Sequence, residues 1–154
     1  MTEKLEIRSI AADDAVAWRE LWTAYLEFYE SSVPDEVYQT TFSRLVSDHA
    51  AGDASFYEPR GLLALLDGKP VGLVHYFYHR HCWRIEQVCY LQDLFAAPDV
   101  RGTGVGRALI EAVYAQADAD GCPNVYWMTQ KFNAQARKLY DRVATLTPFV
   151  KYSR

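Results

Sequence analysis

A glycine-rich segment in the second half of the chain has the residue types of an anion-binding loop. Between a predicted strand and a predicted helix stand Arg101, Gly102, Thr103, Gly104, Val105, Gly106 and Arg107. Glycine allows unusual φ and ψ values and lets an anion approach the backbone amides closely. The first amides of a helix have no intrahelical partner and lie at the positive end of its dipole. The segment therefore predicts a phosphate site with two arginines beside it, and a glycine-rich turn without a ligand is the alternative.

Two common phosphate motifs do not fit this segment. A Walker A loop requires glycine and lysine where this chain has Arg107 and Ala108. A dinucleotide-binding fingerprint requires a further glycine after Gly104, where Arg107 stands, and it opens a βαβ unit. Here the segment follows a predicted hairpin instead. The pattern that remains is Arg-x-x-Gly-x-Gly.

A second candidate group lies on the last predicted helix. Asn133, Arg137 and Tyr140 are spaced so that they share one helix face, separate from the apolar face of the same helix. When an amine attacks a thioester, a hydroxyl that donates a proton to the departing sulfur assists the reaction. Tyr140 is the candidate for this acid, and an aromatic residue that only packs is the alternative. Asn133 is a candidate for a cofactor contact or for the N-cap of the helix.

The elements that must hold these residues follow from apolar periodicity and from turn residues. Asp67-Gly68 separates two strand-like segments and is typical of a hairpin turn. The final helix is expected to bury a stripe that includes Phe132 and Leu139. The order β-α-α-β-β-β-α-β-α-β is expected, with strands near 5–10, 61–66, 71–78, 87–96, 125–129 and 149–152, and helices near 18–29, 35–46, 105–120 and 132–143.

Length and composition indicate one folded domain over residues 1–154. Half of the 154 residues are hydrophobic and 14% are aromatic, which supplies enough material for one core. A net charge of -4 and a pI near 5.5 argue against nucleic-acid binding and mildly favour a cationic substrate. No apolar run is long enough for a membrane span, and the amino terminus is not typical of a signal peptide, so a cytoplasmic location is expected. The spacing of Cys82, Cys89 and Cys122 predicts free thiols and no metal site.

Three motifs together resemble the core of the Gcn5-related N-acetyltransferase (GNAT) superfamily. They are Tyr90-Leu91-Gln92-Asp93-Leu94-Phe95, Arg101-Gly102-Thr103-Gly104-Val105-Gly106, and Asn133 through Leu139-Tyr140. The segments 113–118 and 125–127 are similar to the branch that contains yeast histone and polyamine acetyltransferases, and diamine acetyltransferases are also similar. The resemblance implies an α/β (α+β) fold, with a mixed, mostly antiparallel central sheet flanked by helices.

The resemblance also implies acetyl-CoA as the cofactor and a direct transfer to an amine without a covalent enzyme intermediate. Backbone groups of Leu94, Phe95 and Ala96 are then expected to hold the pantetheine arm, and residues 101–107 the pyrophosphate. Asn133 and Arg137 are further candidates for cofactor contacts, and Tyr140 is the implied general acid.

The chain departs from the related diamine acetyltransferases at two places. Gln92 stands where they carry a glutamate, which puts the usual base in doubt. Asp93, Glu86, His75, His79 or free solvent remain as substitutes. The segment after Tyr140 is also too short for a terminal hairpin, which predicts that residues 149–152 pair with a second copy in a homodimer.

The acceptor pocket is expected between the first two helices and the hairpin strands. Candidate residues there are Glu27, Tyr29, Glu30, Tyr76, Tyr78, His79, Trp83, Gln92 and Trp127. Aromatic faces with a few carboxylates suit an ammonium group. The sequence therefore predicts an N-acetyltransferase for a primary amine, such as a polyamine, an amino acid or a protein lysine. The alternative is a domain that binds acetyl-CoA with little or no turnover.

Overall fold

The structure, a computed structural model, describes residues 3–154. The strands are β1 (Leu5–Ser9), β2 (Arg60–Leu66), β3 (Lys69–His79), β4 (Val88–Ala96) and β5 (Val125–Tyr126). The helices are α1 (Ala15–Phe28), α2 (Asp35–Leu45), α3 (Val105–Ala119) and α4 (Ala134–Val143). Within this described part of the chain, no helix combines the length and the apolar character needed to cross a membrane.

The five strands form one sheet in the order in which they occur along the chain. β1 to β4 are antiparallel, and β5 runs parallel to β4. The turn between β2 and β3 is formed by Asp67 and Gly68, whose φ values of 50° and 81° are those of a tight hairpin turn. The hairpin predicted from this dipeptide is therefore confirmed.

Helices cover both faces of the sheet. On one face, α1 and α2 bury Trp18 and Trp22 against Leu63 and Leu73. On the other face, α3 buries residues such as Leu109 against β3 and β4, and α4 packs at its side. This mixed, mostly antiparallel sheet between helices is the predicted fold class, which is confirmed.

One expectation for the end of the chain is wrong, and another, the pairing of residues 149–152 with a second copy, stays a prediction. Phe132 precedes α4 and is 80% exposed, so it is not part of the buried stripe, because the helix begins only after Asn133. Residues 149–152 form no strand, and Phe149 and Tyr152 are largely exposed. A strand requires a neighbouring edge to pair with, and the segment pairs with none within residues 3–154.

Candidate active site

β4 and β5 separate shortly after they meet, which opens a gap in the sheet. β5 pairs only with Cys89 and Tyr90, so the outer edge of β4 beyond Tyr90 has no partner strand in the described chain. This part of β4 includes Leu94, Phe95 and Ala96, the residues expected to offer backbone groups to a pantetheine arm, although the carbonyl of Ala96 already accepts from Arg101 Nε at 3.1 Å. Unpaired backbone groups that are not exposed to water require a partner, and an extended amide-containing ligand supplies one.

The glycine-rich loop lies where β4 leads into α3. Gly102 and Gly104 have φ values of 81° and 94°, in the left-handed region that favours glycine. Gly104 is the N-cap of α3, and its carbonyl accepts the first helical hydrogen bond, from Ala108 N at 2.9 Å. The amides of residues 105–107 therefore have no intrahelical acceptor and lie together at the positive end of a 15-residue helix.

The two arginines of the loop are held by neighbouring groups of the chain. Arg101 Nε donates to the carbonyl oxygen of Ala96 at 3.1 Å, and its guanidinium lies 5.2 Å from the ring centre of Phe28. Arg107 forms an ion pair with Glu111 one turn further along α3, at 2.8 Å. Both add positive charge beside the loop while their Nε atoms are occupied within the chain.

Tyr140 projects from α4 and packs edge to face on Trp127. Burial raises the pKa of Tyr140 to about 12, with a smaller contribution from Tyr29 across the gap. Its hydroxyl therefore keeps its proton near neutral pH and is available as a donor. The start of α4 is built by the other two residues of this face: Asn133 Oδ1 accepts from Ala136 N at 3.4 Å, and Arg137 donates to the carbonyl of Lys131 at 2.7 Å. Asn133 is thus the N-cap, as the alternative expectation had it, and cofactor contacts by Asn133 and Arg137 stay a prediction.

Asp93 accepts hydrogen bonds from residues of β3 and α1. Its Oδ2 atom accepts from His75 Nδ1 at 2.8 Å and from Trp22 Nε1 at 3.3 Å. Burial, and to a smaller extent the negative charge of Asp93, raises the pKa of Tyr25 and of Tyr29. The Asp93 side chain is 13% exposed, which leaves part of the carboxylate open to a ligand.

Comparison with known proteins identifies the family of this chain. The family model described as "Acetyltransferase (GNAT) family" matches residues 17–144. The chain belongs to the GNAT acetyltransferase family. It is 36% identical over its full length to the D-amino-acid N-acetyltransferase HPA3 of Saccharomyces cerevisiae, 92% of which is covered. The suspected superfamily is confirmed, and the chain is an N-acetyltransferase.

Solved structures of low sequence identity share this fold. An aminoglycoside N-acetyltransferase, AAC(6')-Iy, in complex with CoA matches with a TM-score of 0.82 at 20% identity, covering 100% of this chain and 96% of that one. A ribosomal-protein-alanine N-acetyltransferase from Brucella melitensis matches with a TM-score of 0.75 at 21% identity, covering 98% of each chain. At these identities the likeness concerns the fold alone.

The predicted acceptor residues of the acetyltransferase lie in different places. Tyr29 lies near Asp93, whereas Tyr76 and Tyr78 are buried on the α3 face of the sheet. Trp127 packs between Tyr114 and Tyr140 on that same face.

The remaining polar candidates are exposed. Gln92 is the extra residue of an irregularity in β4 opposite the step from His75 to Tyr76. Glu30 follows α1 with a φ of 55°, and Glu27 lines a shallow groove on the outer side of α1. Neither glutamate is among the groups that contact Asp93.

An aromatic surface that sequence analysis missed continues from Asp93 along the sheet. Phe77 meets Tyr90 edge to face at 5.4 Å, and Tyr90 stacks on Tyr126 at 4.8 Å between ring centres. Tyr126 is 43% exposed, and its hydroxyl contacts His79 Nε2 at 2.8 Å. We call Phe77, Tyr90 and Tyr126 the aromatic wall. The period-2 alternation of β3 was the available signal, since Phe77 shares a face with His75 and not with Tyr76.

Three of the substitute bases are already engaged in hydrogen bonds or ion pairs. Both ring nitrogens of His75 are in hydrogen bonds, to Trp18 and to Asp93, and those of His79 contact the Arg80 carbonyl and the Tyr126 hydroxyl. Glu86 pairs with Arg84 at 3.6 Å and accepts from Asn124. Of the proposed bases, Asp93 therefore combines partial exposure with proximity to Tyr25 and Tyr29.

Proposed function

We propose that this acetyltransferase moves the acetyl group of acetyl-CoA directly onto the primary amine of a small molecule such as an amino acid. The observation that carries the proposal is a partly exposed carboxylate, Asp93 of β4, held by His75 and Trp22 beside the gap, together with a phenol, Tyr140, whose burial keeps it protonated. A carboxylate on one side suits an ammonium group, and a protonated phenol on the other suits a departing thiolate.

Acetyl-CoA fits the groups around this gap. Free amides of residues 105–107 suit a pyrophosphate, and the positive φ of Gly104 would strain any other residue at the start of α3. The unpaired edge of β4 at Leu94 to Ala96 suits the amides of pantetheine. When bound, acetyl-CoA supplies the activated acetyl group as a thioester.

Asp93 and Tyr140 then divide the proton transfers between them. Asp93 accepts a proton from the ammonium group of the acceptor, directly or through one water, which releases the nitrogen lone pair for attack. Tyr140 would donate its hydroxyl proton to the sulfur as the bond between sulfur and the acetyl carbon breaks. The phenolate regains a proton from the nitrogen, which loses its second proton as the amide forms, directly or through water. Asp93 gives its proton to solvent after the products leave, so no residue of the chain is acylated.

The acceptor class follows from the surroundings of Asp93. One carboxylate with aromatic faces beside it binds a single ammonium group through charge and cation–π attraction. The aromatic wall offers the remainder of the acceptor an apolar surface. This arrangement favours an amino acid or a similar compact amine, and the D-amino-acid activity in the name of the yeast relative is consistent with it.

A homodimer is part of the proposal. Phe149, Val150 and Tyr152 are 74–93% exposed in the single chain, and the outer edge of β5 pairs with no strand within residues 3–154. A tail strand added to β5 of a second copy would bury these side chains and satisfy that edge. Light scattering coupled to size exclusion is expected to give a mass near twice 17.6 kDa, and removal of residues 147–154 is expected to give monomers. A monomeric full-length chain would contradict this part.

A reducing, cytoplasmic environment is also proposed. Cys82 is exposed, Cys89 and Cys122 are buried, and all three are free thiols. Burial raises the pKa of Cys89 to about 12, so this thiol is held in its unreactive form.

The test is thiol release from acetyl-CoA across a panel of amines that contains D- and L-amino acids, spermidine and a lysine peptide. Release with an amino acid, together with its mass increase by one acetyl group, is the expected result. Thiol release with spermidine alone would identify polyamines as the acceptors, and release with the peptide alone would identify protein lysines. If acetyl-CoA binds but no amine causes release of the thiol, the protein is an acetyl-CoA sensor. Gln92, which stands where diamine acetyltransferases carry a glutamate, would then explain the missing activity.

A further inference from the structure

Three polar groups form a line from the core to the candidate site. Trp18 Nε1 donates to His75 Nε2 at 2.9 Å, and His75 Nδ1 contacts Asp93 Oδ2 at 2.8 Å. Trp18 and His75 are 2% and 3% exposed, so neither can exchange its partner for water. Both lie outside the residues that contact an acceptor directly.

The chemistry of indole fixes the protonation of His75. An indole nitrogen can only donate, so Nε2 must present its lone pair to Trp18. The single proton of the neutral ring is then on Nδ1, which donates to Asp93. A second proton on Nε2 would point at the indole N–H, cost the Trp18 hydrogen bond and leave two buried donors facing each other. His75 is therefore neutral, in the Nδ1–H tautomer.

Packing on all sides holds the imidazole in this orientation. From α1, the rings of Trp18 and Trp22 lie 6.1 and 5.6 Å from the His75 ring centre. From β2, Gly61 lies against the ring: a Cβ there would be in ordinary contact with His75 Cδ2 at 3.4 Å and would clash with Ile10 Cδ1. Among the described residues, the titratable group that faces the ring is Asp93 of β4, whose charge also acts on Tyr25 of α1.

The donors to Asp93 are distributed unequally over its two oxygen atoms. His75 and Trp22 both donate to Oδ2. Within the described residues both side-chain hydrogen bonds to Asp93 are made at Oδ2, which fixes the rotation of the carboxylate and leaves Oδ1 for the acceptor. Because His75 is neutral, it orients Asp93 without cancelling its negative charge.

We propose that Trp18 and His75 are positioning residues that fix the rotation of Asp93 and keep its charge available for the acceptor ammonium. Trp18 acts by denying His75 a second proton, and His75 acts by its hydrogen bond to Oδ2. The inference rests on the proposed function for its catalytic consequence. Its structural part, the neutral locked histidine, stands independently of any activity.

The first test is therefore made on the wild-type protein without substrate. Nitrogen-15 NMR of the histidine rings distinguishes a protonated from an unprotonated ring nitrogen. His75, assigned by its loss in His75→Asn, is expected to show a proton on Nδ1 and none on Nε2. A proton on Nε2, or none on Nδ1, would overturn the proposal.

The second test compares two phenylalanine variants of stacked indoles on the same helix. Trp18→Phe frees Nε2 of His75 to take a proton, whereas Trp22→Phe removes a donor to Asp93 and leaves His75 locked. In Trp18→Phe, Nε2 can take a second proton at lower pH, and the imidazolium that this forms cancels the Asp93 charge. We expect the KM of the amine to rise about tenfold or more between pH 8 and 6, beyond any wild-type change, with little effect on the KM of acetyl-CoA. Trp22→Phe is expected to lack this added pH step.

The possible outcomes distinguish a failure of the positioning role from a failure of the proposed function. Equal pH dependence in both variants would show that Trp18 only packs, and the positioning role would be wrong. Absence of turnover on every amine would remove the proposed function while the NMR result still decides the protonation of His75. If Trp18→Phe fails to fold, His75→Asn, which retains a donor in the place of Nδ1, is expected to keep far more activity than His75→Leu. Equal loss in those two variants would overturn the role.

Discussion

The ring of Tyr140 meets Trp127 edge to face, with 5.4 Å between ring centres. This contact joins the last helix to the segment that follows β5 and fixes where the Tyr140 hydroxyl can point. Tyr114 also packs on Trp127, and its hydroxyl donates to the carbonyl of Val143 at the end of α4. Two tyrosines therefore contact one tryptophan, and of the two the Tyr114 hydroxyl is already bonded within the chain.

Removal of the Tyr140 hydroxyl tests the acid. Tyr140→Phe is expected to lower kcat about 10²-fold, because the departing thiolate loses its proton donor, while CoA affinity changes little. Tyr114→Phe is the matched control, since it removes a hydroxyl from the same aromatic cluster, and is expected to retain near wild-type kcat. Steady-state thiol release measures both. An unchanged kcat in Tyr140→Phe would exclude the residue from the mechanism.

The pH dependence of kcat tests the same proton. An unperturbed tyrosine titrates near pH 10, whereas burial raises the pKa of Tyr140 to about 12. The phenol therefore remains protonated as the pH rises through 10, and kcat at saturating amine is expected to show no decline between about pH 8 and 10. A decline with a midpoint near pH 10 that is absent from Tyr140→Phe would contradict the raised pKa.

Loss of charge at Asp93 tests the acceptor anchor. Asp93→Asn keeps the size of the side chain but removes the charge and the proton acceptor, so kcat/KM for the amine is expected to fall about 10²-fold or more. The affinity for CoA, measured by calorimetry, is expected to stay within about threefold. Asp99→Asn, in the 3-10 turn before the glycine-rich loop, is the control for a lost carboxylate elsewhere. A wild-type kcat/KM in Asp93→Asn would assign the base to solvent.

Truncation of the aromatic wall tests which acceptors the site prefers. Tyr126→Ala removes the ring that stacks on Tyr90 and is expected to raise the KM of D-phenylalanine more than that of D-alanine, by a ratio of about ten. Tyr126→Phe retains the ring and loses only the hydroxyl that contacts His79, so its ratio is expected to match wild type. Equal changes for the two amino acids would show that the wall does not contact the acceptor side chain.

Features that depend on local sequence could be predicted, and features that depend on distant partners could not. The hairpin at Asp67-Gly68 and the glycine-rich loop are encoded by backbone preferences of the residues themselves. The donors to Asp93 come from Trp22 and His75, 71 and 18 residues away along the chain, and nothing local indicates that they meet.

Register explains one remaining miss, and the pairing of the chain end stays a prediction. Tyr76 was predicted to face the acceptor, but Phe77 is on that face of β3. The irregularity at Gln92 also shifts the alternation of faces in the neighbouring strand β4. The tail at 149–152 has the pattern of a strand, but pairing needs an edge that the single chain does not bring to it.

Calorimetric titration with CoA tests the central claim most directly, because every proposed step requires the nucleotide to be held beside the gap between β4 and β5. The wild-type protein is expected to bind one CoA per chain. Gly104→Ala is expected to weaken binding about tenfold or more, because its φ of 94° strains any side chain, whereas Gly52→Ala, in an open surface turn, is expected to bind as wild type does. No heat of binding from the wild-type protein, or equal affinity in the two glycine variants, would contradict the account.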